Sequence, residues 1–227
     1  MSLPIHHHAP RGPDALQPLA GDLTLRRGRV HEFCGPSRRM LAALVMAKGT
    51  GTVVWIRPGW GAERLNAAGL QPLADPARLI LAEADRDDGL LWAMEEALRA
   101  GAAPLVVAEL LSPPALTPIR RLHLAAEAGA EVARREGWTQ PLGLVLLPGQ
   151  GGAQGIESRW QMRPVPSPSL LWSDAACWHL SRQRARLLPP AAWTLQRRER
   201  GEEVLTLVPF EEPGTASQSP APPRPIA

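Results

Sequence analysis

The residues best placed to do chemistry lie in one turn. His31-Glu32-Phe33-Cys34-Gly35-Pro36-Ser37-Arg38-Arg39 leads from a short apolar run into an Ala/Leu-rich stretch. In an α/β chain the first strand-to-helix turn is the first place to seek a phosphate site, because backbone N–H groups at the helix start point towards an anion. A working phosphate loop needs several glycines, a lysine for the outer phosphates and a Ser or Thr for Mg²⁺. Gly35 is the one glycine here. Lys48, the only lysine among 25 basic residues, comes a full helix later, and no hydroxyl follows a lysine in the turn. Arg38 and Arg39 bring charge without the compact geometry of an ammonium. Gly35, Pro36, Ser37, Arg38 and Arg39 therefore read as a degenerate nucleotide site, with Ser37 expected to cap the helix after a tight Gly-Pro turn.

The neighbouring positions agree. The strand Val53 to Ile56 is followed by Arg57-Pro58-Gly59-Trp60, and the first carboxylate to activate water would be Glu63. Glu109, at the end of Val106-Val107-Ala108-Glu109, stands where a Mg²⁺ ligand would; the favoured reading is a polar residue at the strand edge that caps a loop. Glu95 and Glu96 are adjacent on a helix, so they point about 100° apart and do not form an acid/base pair. They are expected to meet Arg99 or the Arg120-Arg121 helix. No catalytic residue, metal ligand or cofactor is expected, ATP included. His6-His7-His8 lacks the fixed geometry of a metal site, and Cys34 reads as a small buried apolar residue.

A second kind of candidate is cationic. Between 156 and 200 there are eight arginines against three carboxylates. Arg182, Arg184 and Arg186 fall on one face of a regular strand, and such a row favours an anionic neighbour. Arg120, Arg121, Arg182, Arg184 and Arg186 are candidate contacts to DNA or a partner protein. Gln150, in the mobile loop Gly149-Gln150-Gly151-Gly152, is a further candidate. Trp160, Trp178 and Trp193 alternate with polar residues and are expected to face the core.

These residues need a frame. Short β-rich or apolar runs at 30–33, 53–56, 79–81, 105–110 and 142–147, several of them continuously apolar, alternate with helical stretches at 38–48, 88–100 and 117–135. The last of these is expected to start on Thr117-Pro118 as N-cap and first-turn proline. This predicts an α/β fold with a mostly parallel sheet flanked by helices. After about 156 the pattern changes to period two at 158–163, 177–182, 192–196 and 204–208, predicting a C-terminal antiparallel β extension of the same domain. Residues 1–20 read as a flexible arm, 21–155 as the core, 156–210 as the extension and 211–227 as a disordered Pro/Ser/Ala-rich tail. Two cysteines exclude a disulfide scaffold, and the absence of tyrosine excludes tyrosine-based chemistry. The apolar runs are too short to span a membrane and no signal peptide is visible, so a cytoplasmic protein is expected.

The chain resembles the ImuA family, RecA-like proteins of bacterial SOS mutagenesis cassettes. The likeness begins at His31-Glu32-Phe33 and Gly35 and continues through Val54-Trp55-Ile56 and Ala67-Ala68-Gly69-Leu70. It is clearest in Trp92-Ala93-Met94-Glu95-Glu96-Ala97-Leu98-Arg99 and in Arg120-Arg121-Leu122-His123-Leu124-Ala125-Ala126-Glu127. Arg159-Trp160, Pro166-Ser167, Trp178 to Arg182 and Trp193-Thr194-Leu195 fit the C-terminal portion. The family turn is richer in glycine, so this chain departs further from ATP binding. The resemblance implies a RecA-like core and a non-catalytic accessory protein of translesion DNA synthesis. It also implies as partners an ImuB-like polymerase-fold protein and an error-prone DnaE-type polymerase, with RecA and DNA as further candidates. Some relatives are described as SulA-like cell-division inhibitors.

Overall fold

Six strands make the parallel half of a nine-stranded sheet. The computed structural model describes residues 15–61, 63–166, 176–197 and 205–210. The parallel strands are β3 (Val30–Cys34), β4 (Val53–Pro58), β5 (Leu79–Ala84), β6 (Leu105–Glu109), β7 (Leu142–Leu147) and β8 (Ser158–Val165). The antiparallel strands are β9 (Ala176–Ala185), β10 (Ala191–Arg197) and β11 (Leu205–Pro209), and the order across the sheet is β11-β10-β9-β8-β3-β7-β6-β4-β5. Strands β3, β6 and β7 are buried along their whole length. That is why β6 and β7 read as near-continuous apolar runs rather than alternating ones, while β3 holds the buried polar pair His31 and Glu32 within its run.

Two apolar cores flank the sheet. On one face, α1 (Arg38–Ala47) packs Leu41, Leu44 and Met46 against Phe33, Trp55 and Trp160. On the other, α3 (Asp87–Ala100) and α4 (Leu116–Glu136) pack Leu90, Met94, Leu98, Ile119 and Leu122 against Val30, Val106 and Val145. Both long helices end on a left-handed glycine, Gly101 (φ 71°) and Gly137 (φ 72°). A one-turn helix, α2 (Ala67–Leu70), is capped by the Asn66 side chain, which accepts from the amide of Ala68. The start of α4 differs from expectation. The N-cap is Ala115, without a side-chain hydrogen bond, and Thr117-Pro118 lie inside the first turn.

The chain departs from the sequence reading in three further places. First, Leu16–Ala20, assigned to the flexible arm, is strand β1. It pairs antiparallel with β2 (Leu23–Arg26) over the α1 face, burying Leu19 and Leu25 in that core. Gln17 secures the hairpin by donating to the Val45 carbonyl at 3.2 Å, while Arg27 donates to the carbonyls of Pro104 and Gln140 at 2.8 and 2.7 Å. Second, β8 is not simply the first strand of a meander. It pairs parallel with β3 (Phe33 opposite Trp160) and antiparallel with β9, so the sheet changes sense at this strand. Third, β9 carries a bulge. Arg159 pairs with Arg184 but Trp160 pairs with Arg182, leaving Gln183 as the extra residue. The arm at 1–14, the histidines His6-His7-His8 and the tail at 211–227 lie outside the described residues.

Candidate functional site

The turn between β3 and α1 is closed over by β8. Gly35 has φ +90°, and a Cβ there would stand 2.6 Å from the Met162 carbonyl oxygen. The amide of Ser37 donates to that same carbonyl at 3.1 Å, and the amide of Arg38 donates to the Gly35 carbonyl at 3.3 Å. These are N–H groups that a phosphate loop directs at its ligand. Ser37 occupies the N-cap position, but its side chain makes no capping hydrogen bond, contrary to expectation. Pro36 is exposed, and Arg38 reaches back to the Gly35 carbonyl at 3.3 Å. Lys48 is exposed at the far end of α1, about 15 Å from the turn at the helical rise.

Arg39 takes up the carboxylates at this end of the sheet. It faces Glu109 side-on, with Nε to both carboxylate oxygens (3.1 and 3.0 Å) and Nη2 to Oε2 (2.6 Å). Its Nη1 donates to Glu63 at 2.6 Å. The buried Trp55 completes the arrangement, its indole N–H donating to Glu109 Oε1 at 2.8 Å. The paired carboxylates hold the Arg39 guanidinium pKa above its ordinary value against the cost of burying it. Glu109 is thus neither a free metal ligand nor a loop cap. Cys34, just before Gly35, is fully buried; burial and the nearby Glu32 carboxylate push its thiol up to about 12, so it is no nucleophile at neutral pH. Among the described residues no group of three or more His, Cys, Asp or Glu side chains is placed to hold a metal ion.

The structure separates the cationic candidates. Arg182 is buried, with its guanidinium 5.5 Å from the Trp160 ring centre and 5.3 Å from that of Trp193, and Nε donates to the Pro189 carbonyl at 3.0 Å. It packs on the α1 face. The bulge at Gln183 breaks the period-two pattern, so Arg184 and Arg186 emerge on the α4 face instead. Trp160 is buried and Trp178 and Trp193 are partly so, as the alternation predicts. Arg121 is bound to Glu95 at 2.7 Å, and Glu95 also meets Arg99 at 2.5 Å, which is the structural role expected of that carboxylate. Gln150 accepts from Gln161 at 2.6 Å. Its loop is tied down rather than free, because the fully buried Glu32 accepts from the amides of Gly152 (2.8 Å) and Ala153 (3.0 Å) and from Arg159 (2.8 Å).

Arg120, Arg184 and Arg186 do come together. They line a cleft of about 460 Å³ between α4 and the β8–β9 end of the sheet, with Arg29 and His123 at its inner side. Two carboxylates, Glu127 and Glu157, also line it. Arg29 pairs with Glu127 and lies 3.8 Å from Glu157, while its buried Nε has no hydrogen-bond partner among the described residues. Burial and the nearby arginines, Arg26 and Arg186 among them, lower the Arg29 pKa. His123 is brought down to about 4, first by burial and then by Arg29 and Arg186, and is therefore neutral. Composition announced the excess of arginine but not the cleft. Arg29 and His123 carry no sequence signal for it, since they reach it from other elements.

Among solved structures the chain is similar to SulA from Pseudomonas aeruginosa, at 19% identity and a TM-score of 0.39, over 52% of this chain and 98% of that one. No protein-family model matches the sequence, and no curated protein is significantly similar to it. Among the described residues no helix is long and apolar enough to cross a membrane.

Proposed function

We propose that this chain is a non-catalytic, cytoplasmic accessory protein of damage-induced mutagenesis. In this reading it supports translesion synthesis with an ImuB-like polymerase-fold protein and an error-prone DnaE-type polymerase, on a RecA-like core whose nucleotide site has been given up. The observation that carries it is the closed β3–α1 turn. There Met162 holds the Ser37 amide, and Arg39 engages both Glu63 and Glu109, the two carboxylates that could otherwise serve Mg²⁺ or water. The sequence resemblance supports the choice of family. Its two clearest stretches, 92–99 and 120–127, lie on α3 and α4, which pack together and are joined by the Glu95–Arg121 ion pair.

Two measurements test it. Calorimetric titration with Mg-ATP is expected to show no binding and no turnover; tight binding with hydrolysis would replace the adaptor with a RecA-type ATPase. Affinity capture of the tagged full chain after DNA damage is expected to recover an ImuB-like protein. Recovery of a cell-division protein instead would move the assignment to a SulA-like inhibitor.

A further inference from the structure

The cleft between α4 and β9 holds more positive charge than its own carboxylates offset. Glu127 is engaged by Arg29, and Glu157 lies beside the same guanidinium. The side chains of Arg120, Arg184 and Arg186 have no hydrogen-bond or ion-pair partner among the described residues. Arg120 lies on α4, Arg184 on β9 and Arg186 directly after β9, where its amide donates to the Glu157 carbonyl at 3.1 Å. Four arginines thus line the cleft against two carboxylates; burial first, and Arg186 among the nearby charges, lower the pKa of both Arg29 and His123.

The remaining walls narrow the class of ligand. Leu116, Leu124 and Ile156 line the cleft, and Leu124 is 64% exposed. Leu187, directly after Arg186, is 65% exposed. Among the described residues no aromatic ring other than His123 lines it. Single-stranded nucleic acid is usually held by aromatic platforms on which its bases stack. Guanidinium forks beside aliphatic side chains match carboxylates beside aliphatic side chains.

We propose that this cleft seats a short acidic segment of a protein partner, its carboxylates held by Arg120, Arg184 and Arg186 and a leucine-type side chain resting on Leu116 and Leu124. The assignment rests on the adaptor reading and names the surface by which a partner docks. A volume of about 460 Å³ takes a few side chains, not a folded domain, so the segment is extended or the end of a helix.

The test is fluorescence anisotropy with the full chain and a labelled peptide of alternating Asp-Glu-Leu triplets, run at low salt. Binding is expected, and it should weaken at least about tenfold in the R120Q/R184Q/R186Q variant, as truncation of charged contacts does. Leu124→Ala, at an exposed position, should weaken it about threefold or more. A peptide with glycine in place of each leucine should also bind more weakly. Circular dichroism confirms that the variants keep their fold. No binding by the wild type, equal binding by the triple variant, or equal binding of the glycine peptide each overturns the proposal. So does a labelled single-stranded or duplex oligonucleotide that binds through the same three arginines while the peptide fails to compete with it. Failure of the peptide leaves the adaptor reading standing, because that reading is decided by capture of the ImuB-like protein.

Discussion

A single arginine joins the start of α1 to two distant carboxylates, Glu63 and Glu109. Arg39 lies 70 residues from Glu109, and nothing in either local sequence announces their pairing. The turn's departure from a glycine-rich, lysine-bearing phosphate loop can be read directly from its residues. The occupant of the acid cannot, because a long-range ion pair leaves no periodic trace. Glu109→Gln would keep the Trp55 hydrogen bond and remove the carboxylate from a half-buried guanidinium. A loss of about 2 kcal/mol is expected in urea unfolding, less than for a fully buried pair because Arg39 still reaches Glu63. A change below about 0.5 kcal/mol would show that the pair is not structural.

At the same scale, His31 closes a buried chain of hydrogen bonds. The Trp160 indole donates to Ser158 Oγ at 2.8 Å, Ser158 lies 2.6 Å from His31 Nδ1, and His31 Nε2 lies 2.9 Å from the Arg26 carbonyl. The carbonyl can only accept, so Nε2 carries the proton, and Nδ1 accepts from the Ser158 hydroxyl. Burial brings the His31 pKa down to about 4 from 6.5. A folded pKa below the unfolded one means the stabilisation is complete above pH 6.5 and is lost as pH falls towards 4. His123 adds a slope of the same sign. Urea midpoints should fall between pH 7.5 and pH 4.5, by the equivalent of on the order of 3 kcal/mol for His31. His31→Asn should flatten part of that slope, and an unchanged slope would mean the ring is not held neutral.

Elements show where sequence patterns stop being readable. Most of the buried parallel strands and the helices α1, α3 and α4 were visible, since each carries an apolar run or a helical period. The β1–β2 hairpin was not, because its Leu19 and Leu25 sit in a Gly- and Pro-punctuated stretch. The parallel pairing of β8 was hidden as well: one-sided burial gives period two whichever way a neighbour runs. The bulge at Gln183 was the costliest omission, since one extra residue sends Arg182 to one face of the sheet and Arg184 to the other. The α3–α4 contact is similarly invisible. A Cβ at Gly129 would stand 1.8 Å from the Leu98 carbonyl oxygen, so the helices touch backbone to backbone. Gly129→Ala must push them apart and is expected to cost about 3 kcal/mol or more, read as a fall in thermal midpoint. A nearly unchanged midpoint would mean that the helices slide freely past one another.

For the whole molecule, the sheet is organised around β3. Its neighbours β7 and β8 both come from much later in the chain, Val30 pairing with Gly143 and Glu32 with Arg159. A fragment ending at residue 150 would leave β3 with one bare edge and Trp160 and Met162 missing from the α1 core. Such a fragment is expected to be aggregation-prone and to lack a cooperative unfolding transition. A soluble fragment with a sharp transition would show that β8 is dispensable.

The same pairing sets a timetable for synthesis. As the chain leaves the ribosome, β3 has no partner strand until more than a hundred further residues have been made. At about 5–20 residues per second, that is a wait of several seconds or more with an apolar strand unpaired. The strand that leads into Gly35 is thus the first of this sheet to be made and among the last to be completed, and a nascent-chain chaperone has its longest opportunity there.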